Sequence, residues 1–337
     1  MPELPEVETV RIGLSKLIVG KTIKTIFYNN EKSFPNDPVA VSEFAVGSEV
    51  VEVRRRAKVL LIDLGSGYTL MTHLKMTGQL VFVAESTKKA RNPKYENTNK
   101  SEITNSKQDK TGEGASLLFG ASDFEFTESS EVRFGAGHPN DSLIGRLPDK
   151  STRVTVTFDD DSKLFFNDQR KFGWMKLLPT PLVSQEPFMV KVGPEPLEPE
   201  FTDKIFITRV RRRANTSIKA AILDQTVLAG VGNIYADESL WGAQIHPATL
   251  VHNITDRQLS VLRREILYVL KLSIKKGGST DRNYVNAEGK RGSYIDFARV
   301  FRQENKPGPR CQTIIIKTRV AGRGTHLCPS CQKHKNK

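Results

Sequence analysis

Residues 223–238 read LDQTVLAGVGNIYADE, and this stretch decides how the C-terminal half of the chain folds. It predicts a helix that ends near Asp224, a loop that contains Gly230 and Gly232, and a further helix that Asn233 opens. A helix N-terminus with free backbone amides and an asparagine at its cap is a site that binds phosphate. An ordinary helix cap is the simpler interpretation of the same residues.

Helical patterns continue on both sides of this stretch, each preceded by a hydroxyl residue that can cap a helix. The predicted helices run from Thr202 to about Arg212, from Thr216 or Ser217 to Asp224, over 234–240, and from Thr255 to about Lys275.

The N-terminal half has a different pattern, in which a single amphipathic helix over residues 7–19 precedes a series of strands. We therefore predict an α+β fold. An N-terminal β-sandwich with a leading helix is followed by a helix–two-turn–helix domain and a C-terminal β-hairpin unit that resembles a zinc finger. The predicted strands are 22–28, 49–53, 58–64, 68–73, 79–83, 153–158 and 163–167.

The domain organisation follows from shifts in composition along the chain. Residues 1–182 form the predicted catalytic sandwich, and the polar segment 86–150 within it is predicted to be a partly disordered insertion, with a strand or two over 117–126. The proline-rich segment 183–199 is predicted to be a linker. The helical domain spans 200–300, with a Gly-rich loop at 277–294, and the hairpin unit spans 301–337.

The composition restricts the classes of partner. The net charge is +13, which favours a polyanion such as nucleic acid, although a basic surface without such a partner is the alternative. Apolar runs long enough to cross a membrane are absent from the sequence, and it lacks a signal-peptide pattern. We expect a cytoplasmic, nucleoid-associated monomer without a membrane partner.

The N-terminus carries candidate catalytic residues. Removal of Met1 would leave Pro2 with a free secondary amine, a nucleophile near neutral pH that can form an iminium. Glu3 and Glu6 could move the protons that such a reaction needs. Two acidic residues at a helix start also suit the helix dipole, so the stretch alone does not decide between the two roles.

These motifs together resemble one family. The stretch 223–238 resembles the helix–two-turn–helix of the formamidopyrimidine-DNA glycosylases, which act in base-excision repair, and residues 2–8, PELPEVE, are similar to the family's catalytic N-terminus. The resemblance covers nearly the whole chain except 86–150. It implies that Pro2 attacks C1′ of the damaged nucleotide, and that Glu3 and Glu6 serve acid–base chemistry near the deoxyribose.

The resemblance also assigns contacts with DNA. Lys58 corresponds to the family's lysine on a β-hairpin, which contacts a DNA phosphate near the lesion. The HLKMTG segment at 73–78 resembles the family's wedge loop. In that loop Met76 would fill the space that the base leaves, and His73 would contact the backbone.

A second segment, NDQRKFG at 167–173, resembles the family's other wedge, in which Arg170 would read the orphaned base and Phe172 would enter the base stack. The segment departs from the usual pattern at Gln169, in place of proline, and at Lys171, in place of arginine. Arg323, at the tip of the predicted hairpin, would reach phosphates that flank the lesion, and Asn233 would contact DNA at its helix start.

All three cysteines lie in the last 27 residues, where Cys311, Cys328 and Cys331 resemble most of a four-cysteine zinc finger. Gly308 stands where the first cysteine is expected. Three outcomes are open: a three-thiolate site with water, His334 or His326 as fourth ligand, weak metal binding, or a metal-free finger. We expect one structural Zn²⁺ held by the three cysteines at reduced affinity.

The resemblance implies a bifunctional DNA glycosylase and abasic-site lyase that acts on double-stranded DNA with oxidised purines or abasic sites. The loop at 277–294 corresponds to the family's lesion-recognition loop, which favours oxidised purines over pyrimidines. Two alternatives are a catalytically impaired DNA-binding protein of the same fold, suggested by Gly308, and a glycosylase that prefers oxidised pyrimidines.

Overall fold

A computed structural model describes residues 2–84, 131–135, 147–279 and 294–334. The strand or two predicted over 117–126, most of the insertion 86–150 and most of the loop 277–294 lie outside these residues. The α+β class is confirmed, since helices and two antiparallel sheets share the N-terminal half and helices dominate the part after residue 200.

Helix α1 (Leu4–Ile18) begins three residues earlier than the pattern indicated. Pro5 lies in its first turn, where proline's missing amide hydrogen costs nothing. The buried face carries Val7, Val10 and Leu14, as the spacing predicted, and Leu4 extends it.

Two antiparallel sheets form the sandwich. The strands are β1 (Ile23–Tyr28), β2 (Val50–Arg56), β3 (Val59–Leu64), β4 (Tyr68–His73), β5 (Gly78–Val83), β6 (Glu131–Gly135), β7 (Thr152–Phe158), β8 (Lys163–Asp168) and β9 (Trp174–Pro179). One sheet has the strand order β1-β7-β8-β5-β6 and the other β2-β3-β4-β9. Side chains of both sheets and of α1 share one hydrophobic core. A helix, α2 (Pro38–Phe44), and strands β6 and β9 had not been predicted.

The predicted linker 183–199 contains packed structure. A 3₁₀ turn (Thr180–Gln185) and helix α3 (Pro187–Lys191) bury Val183 and Met189 against the outer face of β3 and β4. Strand β3 is therefore buried on both faces. Proline-rich composition concealed this packing, because isolated apolar residues between prolines show no helical period.

The helical domain contains α4 (Asp203–Arg211), α5 (Ile218–Leu223), α6 (Asn233–Gly242) and α7 (Asp256–Lys275). The side chains of Thr202, Ser217 and Thr255 cap α4, α5 and α7, as expected from their spacing. The cap of α6 differs from the prediction, since Gly232 occupies it and Asn233 is the first helical residue.

The C-terminal unit packs on α6. Strands β10 (Ile316–Val320) and β11 (Arg323–Leu327) form a hairpin whose two-residue turn, Ala321 and Gly322, has φ angles of 49° and 73°. Such angles match the twist of paired strands. Arg323 therefore begins β11 beside the turn. Upstream of the hairpin, the buried Glu238 accepts hydrogen bonds from the amides of residues 299, 300 and 301, which ties this unit to α6.

No helix among the described residues is both long and apolar enough to span a lipid bilayer.

Candidate functional site

The N-terminus is inserted between the two halves of the protein. Pro2 and Glu3 are buried, and the Leu4 amide donates to the Gly230 carbonyl at 2.9 Å. A Cβ on Gly230 would lie 2.5 Å from Leu4, and a Cβ on Gly232 would lie 2.2 Å from the Glu3 carboxyl carbon. The glycines of the loop are therefore required because the N-terminus packs directly against their backbone.

Glu3 occupies the start of helix α6. Its carboxylate accepts hydrogen bonds from the amides of Ile234, at 2.9 Å, and Tyr235, at 3.4 Å. Burial raises the pKa of Glu3 to about 7, against the opposing effects of nearby Lys58 and of these amides. Two of the backbone amides at this helix start, where the sequence suggested phosphate binding, therefore donate to a carboxylate of the chain itself.

Lys58 reaches the same place from the turn between β2 and β3. Its side chain is buried, and Nζ donates to the Val231 carbonyl at 3.0 Å. Burial lowers the pKa of Lys58, while the carboxylates of Glu3 and Glu6 oppose that effect. A buried lysine amine with a lowered pKa, beside a carboxyl group whose pKa is near 7, is an arrangement suited to proton transfer.

Glu6 connects the N-terminus to α6 and to the start of the 277–294 loop. Its Oε2 accepts from the Glu3 amide at 2.8 Å, and its Oε1 accepts from the Tyr235 hydroxyl at 2.5 Å. The amide and hydroxyl of Ser279 both donate to Oε1 at 2.8 Å. Glu6 therefore links Glu3, the residue after Pro2, to Ser279 at the start of the 277–294 loop.

His73 ends strand β4 and is buried between the rings of Trp174 and Phe188, each 5.8 Å away between centroids. Burial, together with Lys75 and Lys58, lowers the pKa of His73 to about 3, so the ring is neutral at pH 7. Its Nδ1 accepts from the Lys75 amide, so the proton lies on Nε2, which can donate to an acceptor.

Three residues predicted to act in the two wedges lie together, although Met76 is far from Arg170 and Phe172 in sequence. The side chains of Met76 and Phe172 are 46% and 53% exposed to solvent, which is more than is usual for large apolar residues. The Arg170 guanidinium lies 4.9 Å from the Phe172 ring centroid, and its Nη1 is 3.5 Å from the Met76 sulfur. The result is an apolar and cationic projection suited to enter a base stack.

Asp168 holds both wedge loops in place. This fully buried carboxylate accepts from the Gly173 amide at 2.6 Å, from the Arg170 amide at 3.2 Å and from the Thr77 hydroxyl. Gly173 is required here, because a Cβ would lie 2.7 Å from the Phe166 ring. The sequence motif contained Asp168, but its role as the common acceptor was apparent only in three dimensions.

Arg323 begins strand β11 of the hairpin, and Asn233 contacts the next residue of that strand. The exposed Arg323 is near enough to Lys58 to help lower its pKa. The Asn233 amide donates to the Gly324 carbonyl at 3.0 Å, while its buried Oδ1 lacks a partner among the described residues. Asn233 therefore contacts the residue next to Arg323, and Arg323 lies near Lys58.

A buried ion pair that sequence reasoning missed fixes this hairpin. Lys219 and Asp237 are both fully buried, with Nζ and Oδ1 2.6 Å apart. Lys219 also donates to the Gly324 carbonyl and the Thr325 hydroxyl, and Asp237 accepts from the His326 amide. In the sequence, the only sign of this ion pair was Lys219 among the apolar residues of helix α5.

The three cysteines converge. Their sulfur atoms all lie within 4.8 Å of one another, with Cys311 3.4 Å from Cys328 and 3.3 Å from Cys331. Hydrogen bonds from Thr313 lower the pKa of Cys311, which favours the thiolate that binds metals. The donor set fits three of the four positions of a structural zinc ion.

Neither histidine considered as fourth ligand joins the cysteines. The His326 ring lies buried between Asp237, at 3.5 Å, and Glu304, at 3.3 Å. The His334 ring packs against His246, with centroids 4.7 Å apart. Among the described residues, the group able to hold a metal contains the three cysteines alone.

Comparison with known proteins agrees with this geometry. Residues 1–135 match the formamidopyrimidine-DNA glycosylase N-terminal domain, residues 192–284 the formamidopyrimidine-DNA glycosylase H2TH domain, and residues 309–333 a zinc finger found in FPG and IleRS. Formamidopyrimidine-DNA glycosylase of Ligilactobacillus salivarius is 34% identical over 98% of this chain and 99% of its own length. That of Streptococcus pyogenes is 35% identical over 99% of both.

Solved structures are similar over the same extent. The Lactococcus lactis Fpg in complex with DNA that contains an abasic site has a TM-score of 0.75 and 28% identity, covering 98% of this chain and 100% of that one. MutM in complex with DNA that contains carbocyclic 8-oxo-G has a TM-score of 0.74 and 29% identity, covering 99% and 100%. With relatives of this similarity over the full length, the chain belongs to the formamidopyrimidine-DNA glycosylase family, the DNA glycosylases of base-excision repair.

Proposed function

We propose that the protein is a bifunctional glycosylase and abasic-site lyase that removes oxidised purines, such as 8-oxoguanine and formamidopyrimidines, from double-stranded DNA. The observation that supports this most directly is the buried group of Pro2, Glu3, Glu6 and Lys58 between the two halves of the protein. Such a group combines a nucleophile with residues that can move protons.

In the proposed reaction, the amine of Pro2, freed by removal of Met1, forms a bond to C1′ while the bond from C1′ to the base breaks. The base leaves with a proton, the sugar ring opens, and loss of the proton on the proline nitrogen gives an iminium. Loss of a proton at C2′ then expels the 3′ phosphate, a second elimination expels the 5′ phosphate, and water releases Pro2.

Glu3 is suited to the proton transfers of this sequence. A carboxyl group with a pKa of about 7 is present as both acid and base near neutral pH. It can therefore donate to the sugar oxygen as the ring opens and accept at a later step. Glu6 would act through its hydrogen bond to the Glu3 amide, and Lys58 would bind the phosphate near the lesion.

The proposed DNA contacts fall into two groups. Met76, Arg170 and Phe172 form the projection that would fill the base stack after the damaged base is everted. Eversion costs a few kcal/mol of lost stacking, and contacts of these side chains with the neighbouring bases would offset that cost. His73, through Nε2, would bind the DNA backbone. Asn233 and Arg323, near Lys58, would bind phosphates.

For the metal, we propose one structural Zn²⁺ held by Cys311, Cys328 and Cys331. Bound there, the ion would cross-link the turn before β10 to the end of β11 and so stiffen the hairpin that carries Arg323. We also propose that the protein acts as a monomer in the cytoplasm, associated with the nucleoid.

Borohydride trapping tests the mechanism. The purified protein, with removal of Met1 verified by mass spectrometry, is mixed with a duplex that contains one 8-oxoguanine opposite cytosine. A trapped covalent complex that is lost in Pro2→Gly supports the proline iminium. Trapping only with oxidised pyrimidine would move the substrate class to pyrimidines. Binding without trapping on oxidised purine, oxidised pyrimidine or abasic DNA would favour the impaired binding protein.

A further inference from the structure

The cysteine cluster of this chain differs from a closed four-cysteine finger at one defined place. Gly308 and Cys311 belong to one turn, in which the Gln312 amide donates to the Gly308 carbonyl at 3.0 Å and the Gly308 amide donates to Thr313 at 2.9 Å. Glycine offers no ligand atom there. The sulfur atoms of the other three positions already lie close together.

The cluster is partly open to solvent, although Gly308 itself is buried. Cys311 is exposed and Cys331 partly exposed, whereas Cys328 is buried under the hairpin. Zinc with three protein ligands completes its tetrahedron with a molecule from outside the chain. Among the described residues the cluster contains no fourth His, Cys, Asp or Glu, so an ion held there would take its fourth ligand from outside, on the side where Cys311 and Cys331 reach solvent.

On these grounds we propose that the metal of this finger keeps one exchangeable coordination position, at which a small thiol or an imidazole binds. The inference rests on the proposed three-thiolate metal site and concerns what completes it. Thiolate and imidazole are the external donors chosen because zinc sites in proteins use sulfur and nitrogen ligands.

Gly308→Cys is the informative variant, because it restores the fourth thiol. Gly308 is outside the left-handed region, so a side chain is compatible with its backbone. The new Cβ would lie 2.9 Å from the end of the Ile315 side chain and 3.2 Å from the Thr313 carbonyl oxygen, so both the Ile315 methyl group and the Thr313 carbonyl must shift slightly. Gly308→Ala introduces the same Cβ without a thiol and is the matched control.

The experiment replaces zinc with Co²⁺ in the full-length protein and records its visible d–d absorption during titration with 2-mercaptoethanol or imidazole. We expect a saturable spectral change in the native protein and in Gly308→Ala, and none in Gly308→Cys. If the cobalt spectrum of the native protein does not change on addition of either donor, the proposal of an exchangeable position is wrong, although the metal site itself is supported. Absence of cobalt bands in the native protein would overturn the metal site itself. If a variant does not fold, the titration of the native protein is sufficient to test the proposal.

A second observation, independent of the metal, concerns Glu195. This carboxylate, in the segment predicted as a linker, is buried and accepts from the amide of Ala57, the residue before Lys58. Arg55 and Arg56 also donate to it, at 3.0 Å each. Ala57 has a φ of 53°, so the turn that carries Lys58 is strained and needs external support.

The same segment connects this turn to the helical domain. The Arg56 guanidinium donates to the Gly193 carbonyl at 2.7 Å, and the Gly193 amide donates to the Gln225 carbonyl at 2.8 Å. Gln225 in turn donates to the Val231 carbonyl, the acceptor of Lys58. The structure assigns to Glu195 the role of a positioning residue, which holds Lys58 in register with the α5–α6 loop.

The test is a double-mutant cycle on base excision in single-turnover experiments. Glu195→Gln keeps the size of the side chain and removes its charge, and we expect a loss of about tenfold in the excision rate with little change in DNA binding. Combined with Lys58→Arg, the same change should cost much less, because residues that act through one another are not additive.

Glu8→Gln, which removes the other carboxylate at Arg55, is the control and should affect the rate less than Glu195→Gln. Equal proportional losses from Glu195→Gln in the native and Lys58→Arg backgrounds would show that Glu195 supports the fold without acting on Lys58. Loss of DNA binding in parallel with the rate would lead to the same conclusion. The cycle compares ratios of rates on one substrate, so it does not depend on which lesion is preferred. It rests on the proposed role of Lys58, and native protein without excision activity would contradict the proposed function instead.

Discussion

Replacing Glu3 with glutamine should make the protein more stable than the native chain at alkaline pH, at the expense of activity. The prediction rests on one quantity, the pKa of the Glu3 carboxyl, which burial raises from 4.5 to about 7. Glutamine fits the same space and retains an oxygen that can accept from the Ile234 amide, but it does not ionise.

The sign follows from proton binding. The folded protein binds the Glu3 proton more tightly than the unfolded chain does, so the contribution of this group to stability is fully present below pH 4.5 and is lost as the pH rises through about 7. A difference between 4.5 and about 7 corresponds to about 3 kcal/mol of unfolding free energy. The glutamine variant lacks this loss.

Urea unfolding at several values between pH 5 and pH 8 measures the effect. The unfolding free energy of Glu3→Gln relative to the native chain should rise with pH by up to about 3 kcal/mol. Val7→Ala, which removes buried apolar volume in the same helix and changes no charge, is the control and should differ from the native chain by a constant amount. A difference between Glu3→Gln and the native chain that does not vary with pH would refute the assignment of a raised pKa.

Three further predictions follow from contacts described above. Asp168→Ala should lower the unfolding free energy by about 3 kcal/mol, because it leaves buried donors of both wedge loops unpaired, whereas Asp168→Asn should cost less; urea unfolding compares them. Glu238→Gln should speed hydrogen exchange at the amides of residues 299–301, and unchanged exchange would contradict its anchoring role. Arg323→Ala should reduce the slope of log affinity for DNA against log salt by about 1, and an unchanged slope would remove Arg323 from the phosphate contacts.

Helices and strands with a strong period were predictable with small errors at their ends. The capping residues Thr202, Ser217 and Thr255 indicated three helix starts correctly, because a cap is a local interaction over four residues. The helix at Leu4 began earlier than predicted, since proline near a helix start interrupts the apolar pattern without interrupting the helix. Strands β6 and β9 and helices α2 and α3 were missed because their short segments do not show a clear period.

By itself, the sequence determined the residue types available for chemistry and their order: a proline with two glutamates at the N-terminus, a loop with two glycines, three cysteines and an excess of positive charge. Caps, turns and amphipathic faces depend on residues that are close together in sequence, so they could be identified from the sequence.

Only the tertiary structure decided which distant groups act on one another. Burial sets the pKa of Glu3 near 7, and that burial depends on Gly232 lying against it from 229 residues away. Asp168 joins two wedge loops, and Glu195 supports the turn of Lys58, although neither relation leaves a periodic signal. Desolvation and long-range hydrogen bonding depend on the complete fold, which is why these properties could not be read from neighbouring residues.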